Sequence, residues 1–257
     1  MTPVYFVLGT PGSGRREIVR DLIDNGFEPT DRVSVLLSER EEADPADVRL
    51  AGRAATTVQR YAGDAAGLPA GLELPAGAAV FLLADPREDV ITQLEGLKAW
   101  VATRGGEVAR IFTVVDCQFG ERHPALLAWY EACIHFTDVV LMTKREGVAN
   151  KWVSDFTRHF TEQFFPCLFL QVKKTGLANP ALVLEPQPRR VSQYFEEDYV
   201  DLSDVVIETG DDEAEEGERV EPGEDDGIIP PEPYFVRMRS GRREKEVPDP
   251  RPHFGTK

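Results

Sequence analysis

Val4-Tyr-Phe-Val-Leu8 runs into Gly9-Thr-Pro-Gly-Ser-Gly14 and then into Arg15-Arg-Glu-Ile-Val-Arg-Asp-Leu-Ile23. The first five residues are a continuous apolar run. The six that follow hold three glycines, and the last segment repeats Ile18, Val19, Leu22 and Ile23 at helical spacing. Strand, glycine turn and helix in that order form the context of a phosphate-binding loop. Glycines let backbone N–H groups converge on an anion, and the helix N-terminus adds the positive end of its dipole.

The spacing Gly9-x-x-x-x-Gly14 fits the P-loop pattern, which continues with Lys and then Ser or Thr; here Arg15 and Arg16 stand in those places. The lysine of such loops reaches the terminal phosphates and the hydroxyl ligates Mg²⁺. Arg15 offers a planar fork where a point charge is usual, and Arg16 cannot ligate a metal. The two guanidiniums can hold an anion without Mg²⁺ or point outwards.

Outward from this loop, apolar runs alternate with helical patterns. Val33–Leu37, Ala79–Leu83, Ile111–Val115, Val139–Met142 and Cys167–Val172 read as further strands, six in all with the first. Helices are expected at Asp47–Tyr61, Pro86–Thr103, His123–Phe136 and Lys151–Phe165. Strands written as unbroken apolar runs are buried on both faces, as in parallel sheets. The expected fold is therefore a doubly wound, mostly parallel α/β sheet of the P-loop NTPase type over residues 1–184. There is no internal repeat.

Residues 185–257 are expected to be an acidic, Pro-rich tail, largely disordered. Glu196 to Asp226 holds sixteen Asp and Glu against one Arg, a net of −15 out of −16 for the whole chain. What remains is nearly neutral and has no basic stripe, which argues against a nucleic-acid partner. A short apolar piece at residues 233–238 is a candidate docking segment; truncation near Arg190 is expected to leave the melting temperature almost unchanged, a large drop being the sign that this segment docks. No run of 18 apolar residues and no signal-peptide pattern is present, so no membrane partner is expected and the cytoplasm is the default location. Cys117, Cys133 and Cys167 lie far apart and read as reduced, buried thiols. The four histidines show no helical pairing with Cys or with each other, and no metal site is expected.

Three further segments carry a family resemblance. Phe136-Thr-Asp138 leads a strand into Thr143-Lys-Arg-Glu146, Ile111-Phe-Thr-Val-Val115 ends at Asp116, and Leu83-Ala-Asp-Pro86 follows the third strand. In this order the chain resembles the CobW-type P-loop GTPases, relatives of the nickel-insertion GTPases that serve urease and hydrogenase, over roughly Pro3 to Val172. The resemblance implies GTP or GDP as ligand. Gly9, Gly12, Ser13, Gly14, Arg15 and Arg16 would surround its phosphates, and Thr143, Lys144 and Glu146 its base. It implies Asp116 as the one catalytic candidate, close to a metal or the attacking water; a plain helix cap explains an aspartate there equally well.

The departures run in one direction. Thr143 replaces Asn and Glu146 replaces the guanine-reading Asp. The Glu-Thr-x-Gly turn after the third strand is missing, Ser38–Asp44 holds acids without the family's cysteines, and the C-terminal domain gives way to the acidic tail. The acids Glu39, Glu41, Glu42 and Asp44 read as a solvated loop more readily than as a cation site. The expected function is thus a degenerate GTP-binding protein, a pseudo-GTPase with weak or no hydrolysis and no firm hold on Mg²⁺, sensing a nucleotide or anion or serving as a scaffold for a protein partner. The alternatives are an active divergent GTPase driving a partner or metallochaperone-like step, and a small-molecule kinase suggested by the Gly-x-Pro-Gly-Ser-Gly loop.

Overall fold

The computed structural model describes residues 1–196 and 231–255. Its strands are β1 (Thr2–Gly9), β2 (Val33–Ser38), β3 (Thr56–Tyr61), β4 (Ala79–Leu83), β5 (Gly106–Asp116), β6 (Val139–Thr143) and β7 (Leu168–Gln171). They form one sheet in the order β3-β2-β4-β1-β5-β6-β7, and every neighbouring pair is parallel. The helices are α1 (Arg15–Gly26), α2 (Pro45–Ala51), α3 (Val90–Ala102), α4 (Cys117–Arg122), α5 (Leu127–His135), α6 (Asn150–Thr161) and α7 (Pro180–Leu184). The doubly wound parallel sheet expected from the sequence is the observed fold.

Successive side chains of a strand point to opposite faces, and β1 divides its residues accordingly. Val4, Phe6 and Leu8 join a core with Leu94 and Leu97 of α3, Tyr130 and Ile134 of α5 and Phe156 and Phe160 of α6. Tyr5 and Val7 join a second core with Ile18, Val19, Leu22 and Ile23 of α1 and Val183 and Leu184 of α7. Because β4 and β5 flank β1 on either side, the chain reverses its direction of travel across the sheet at β1. A crevice opens at the carboxyl ends of the strands at such a point.

The helix expected over Asp47–Tyr61 is corrected. Asp44 caps α2 in a reciprocal capping box with Asp47, and the helix ends at Ala51. Ala55 takes a left-handed φ of 58°, and β-branched Thr56, Thr57 and Val58 then enter a seventh strand. This strand is a sheet edge with largely open faces, so its sequence is polar and lacks the continuous apolar run of an inner strand. Two smaller corrections concern boundaries. Helix α3 starts at Val90, capped by Asp89, four residues after Pro86. The segment expected as a helix from His123 begins with a 3-10 turn, Pro124–Leu126, preceded by α4.

The acidic run from Glu197 to Asp226 lies outside the described residues, but both flanks of it are packed. The amides of Val191 and Ser192 donate to the His135 carbonyl at 3.1 Å each. Glu232 meets the His135 ring at 2.9 Å and accepts from the Ser192 hydroxyl at 2.6 Å. Tyr234 is 3% exposed and belongs to the α3/α5/α6 core, beside Phe136. From there the chain crosses α3, where Arg237 and Arg243 both bond Glu95, at 2.7 and 2.6 Å. It ends near Arg87, whose carbonyl accepts from Arg251, and near His123, whose ring lies 4.7 Å from that of His253. Residues 231–255 thus form a strap over the α3 face.

Candidate functional site

The glycine loop lies at the carboxyl end of β1. Gly9 has a φ of 146°, and a Cβ there would meet the Val114 carbonyl oxygen at 2.8 Å and the Ser13 hydroxyl at 2.9 Å, so no other residue fits. Gly14 is the N-cap of α1 in a left-handed conformation, φ 93°, and supplies no side chain to the helix end. The amide of Ser13 turns back to the Thr10 carbonyl at 3.2 Å. Gly12, also left-handed at φ 71°, stands at the open tip, where a Cβ would find nothing within 4 Å. The loop therefore has the backbone form that an anion-binding turn before a helix requires.

The two arginines that open α1 face inward. Arg15 is 3% exposed; its Nη1 donates to the Ala84 carbonyl at 2.6 Å and its Nη2 lies 2.9 Å from the Glu41 carboxylate. Arg16 reaches the same Glu41 oxygen at 3.3 Å and Asp47 at 3.3 Å, with Asp44 4.0 Å away. Arg60 of β3 closes the group, donating to the Asp47 carboxylate at 2.8 Å and the Glu41 carbonyl at 2.6 Å. Three cations thus meet three carboxylates of the β2–α2 segment, and Glu41 bridges the two guanidiniums that follow the glycine loop. Removing charges from water is unfavourable unless each finds a partner, and here each one does. The acids at residues 39–44 read in the sequence as a solvated loop, yet Glu41 is the counter-ion of the helix start.

The remaining candidates gather along the ends of β5 and β6. Asp116 accepts from the Phe119 amide at 2.9 Å, capping α4, and takes the Lys144 ammonium at 3.0 Å. Both of its oxygens are therefore engaged. Lys144 has a left-handed φ of 49°. The Thr143 hydroxyl donates to the Ser13 carbonyl at 2.7 Å and lies 3.1 Å from the Val115 carbonyl, which ties the end of β6 to the glycine loop. Glu146 is exposed and lies 3.7 Å from Lys174. It lines a cleft of about 390 Å³ with Arg145, Asn150, Val153, Val172, Lys173 and Lys174. The structure thus brings Gly9, Gly12, Ser13, Gly14 and Thr143 into one unit and Asp116 with Lys144 into another. Glu146 stands apart on the rim of the cleft, and Arg15 and Arg16 turn to the β2–α2 segment.

The charged contacts expected of Arg15 and Arg16 are taken up by carboxylates. Arg16 carries no metal-ligating oxygen, and its guanidinium is held by Glu41 and Asp47. Among the described residues no three His, Cys, Asp or Glu side chains converge as a ligand set. Burial pushes the Cys117 and Cys167 thiols up to about 12, and Cys133 is raised well above its ordinary value for the same reason. None of the three is disposed to act as a thiolate. Among the described residues no helix is long and apolar enough to cross a membrane.

No family model matches the chain, and no curated protein matches it. Solved structures do. The Zn(II)-bound YjiA GTPase from E. coli aligns at 13% identity with a TM-score of 0.41, over 73% of this chain and 66% of that one. The cell division protein FtsY from Thermotoga maritima aligns at 14% identity with a TM-score of 0.45, over 72% of this chain and 68% of that one. The chain thus spans a little under two thirds of the YjiA chain it matches.

Proposed function

We propose that this protein is a degenerate member of the GTP-binding P-loop class, with weak or no hydrolysis, that acts as a nucleotide- or anion-sensing or scaffold partner of another protein. The observation that carries this reading is the bridging of Arg15 and Arg16 by Glu41. An incoming phosphate has to compete with a carboxylate already held at 2.9 Å in a buried site, and it gains no Mg²⁺ to offset that. The second support is Asp116, whose oxygens cap α4 and pair with Lys144, so that a water would have to share a carboxylate already holding two donors.

An active divergent GTPase is the second reading. It is favoured by the loop backbone and by the Thr143 bond to Ser13, which keep the phosphate cradle in shape. Binding of GTP, GDP, ATP and inorganic phosphate to the purified full chain, with and without Mg²⁺, separates the two. The degenerate reading expects affinities of roughly tens of micromolar or weaker, as befits lost charge-assisted contacts, with little response to Mg²⁺ and no turnover. Tight, Mg²⁺-dependent, guanine-selective binding with turnover would overturn it in favour of the second reading.

A further inference from the structure

Nearer the amino ends of the strands than the glycine loop, β5 carries a second buried arginine cluster of a different kind. Arg110 is fully buried, paired in register with Tyr5 of β1 on the face covered by α1 and α7. Its Nε donates to the Glu185 carbonyl, and its Nη1 and Nη2 have no hydrogen-bond partner among the described residues. Arg189 approaches the same place. Its amide donates to Asp138 at 2.6 Å, next to the Ile111 amide, which bonds the other oxygen of that carboxylate at 2.8 Å. The Arg189 Nη2 bonds Gln187 at 2.8 Å, and its buried Nε is also without a partner.

No carboxylate of the described residues forms an ion pair with either side chain. Asp138 is already shared by the two amides and by Arg190 at 3.2 Å, and Glu196 pairs with Arg190 as well. Arginines at the glycine loop are matched with carboxylates; these two are not. Burial pulls the Arg110 guanidinium below its ordinary value, with Asp138 and Glu185 opposing that effect through space and Arg189 adding to it. A buried guanidinium with free N–H groups is unfavourable unless a counter-ion completes it.

We infer that Arg110 and Arg189 form a second anion subsite, nearer the amino ends of the strands than the glycine loop, for a small doubly charged oxyanion such as phosphate or sulfate. The planar forks of two arginines suit the paired oxygens of a tetrahedral anion better than a single carboxylate already shared by three donors. The cover over Arg110 is the turn Glu185–Pro188, exposed throughout. Pro186 and Pro188 have no amide to donate, so the turn is held by the Glu185 amide to Ala181, the Gln187 amide to Glu185 and the Arg110 bond itself. A shift of this turn admits an ion of a few atoms. Arg110 lies midway along β5, four residues before Val114, the register partner of Gly9, and the subsite stands independently of what the glycine loop binds.

Calorimetric titration of the full chain with inorganic phosphate and with sulfate, in chloride buffer of matched ionic strength, tests the assignment. Saturable binding of both ions is expected. Arg110→Met and Arg189→Gln should each weaken it by roughly tenfold or more, the scale of one lost charge-assisted contact, and Arg122→Gln, exposed on α4, should leave it unchanged. Arg189 is only partly buried, so its variant retains the fold and decides the matter if Arg110→Met does not. Failure of the parent protein to bind either ion would overturn the inference. So would loss of binding in Arg15→Gln with retention in Arg189→Gln, which would place the ion at the glycine loop.

Discussion

The hydroxyl of Thr143 hangs the glycine loop on the end of β6: it donates 2.7 Å to the carbonyl of Ser13, 130 residues earlier in the chain. Thr143→Val keeps the shape and removes the bond, leaving a buried carbonyl unsatisfied. A loss of about 1–2 kcal/mol is expected in urea unfolding, together with faster amide exchange at Ser13 and Gly14. Thr143→Ser, which retains the hydroxyl, should restore the slow exchange. Equal exchange in all three proteins would show that the loop holds its form unaided.

Glu41 is the residue on which the helix start depends. Glu41→Gln leaves Arg15 and Arg16 buried without their shared charge, and breaking such a group by removing one partner costs about 3 kcal/mol. Added phosphate should recover part of that stability by taking the vacated place, measured as a phosphate-dependent rise in melting temperature larger than in the parent protein. A variant as stable as the parent would mean that the bridge contributes nothing net.

The strap has an acid limit. Desolvation acts to raise the Glu232 carboxyl, but hydrogen bonds from His135 and Ser192 outweigh it and hold the group below its ordinary 4.5. Glu95 is likewise lowered, burial being outweighed by Arg243 and Arg237. A depressed carboxylate stabilises the folded state fully above its unfolded value and loses that contribution as pH falls through the folded one. Stability should therefore decline below about pH 4.5, with cleavage of the 231–255 segment by an acid protease appearing before that of the core. Glu95→Gln/Glu232→Gln should be less stable at neutral pH and show a flatter acid limb.

Removing residues 231–257 should lower the melting temperature by several degrees, contrary to the behaviour of an undocked tail. Tyr234→Ala reports the same contact within the full chain. The side chain is almost wholly buried, and a loss of about 3 kcal/mol is expected for a large aromatic group removed from a core. An unchanged melting temperature in both proteins would show that the strap contributes no net stability.

The thiols should be silent. With Cys117, Cys133 and Cys167 all buried and raised, a disulfide reagent at pH 8 should modify none in the native protein and all three in guanidinium. Rapid native modification of any one would place it in a more open setting.

Most of the sheet could be read from the sequence, because β1, β2, β4, β5 and β6 are inner strands and inner strands of a parallel sheet are uniformly apolar. β3 could not, since an edge strand with open faces can be built from Thr, Gln and Arg. The glycine loop was equally plain, as its glycines answer to local backbone geometry. The fate of Arg15 and Arg16 was not, because their partner Glu41 is about 25 residues away across a strand and a loop, and nothing local couples them. The strap was legible only as an apolar fragment at 233–238; its hold on Glu95 and His135 joins positions about 100 residues or more apart.

The two ends of the strap's attachment have a consequence for the chain as a length of polymer. Ser192 and Glu232 touch at 2.6 Å, so the described segments on either side of residues 197–230 are joined to each other directly. A single cut in that interval would divide the polypeptide and leave the molecule whole: the carboxyl-terminal fragment would stay seated through Tyr234, Glu232 and the arginines on Glu95. A nicked preparation would run as two bands in denaturing gels and as one particle in solution, and its dissociation would need only the release of a peptide from the α3 face.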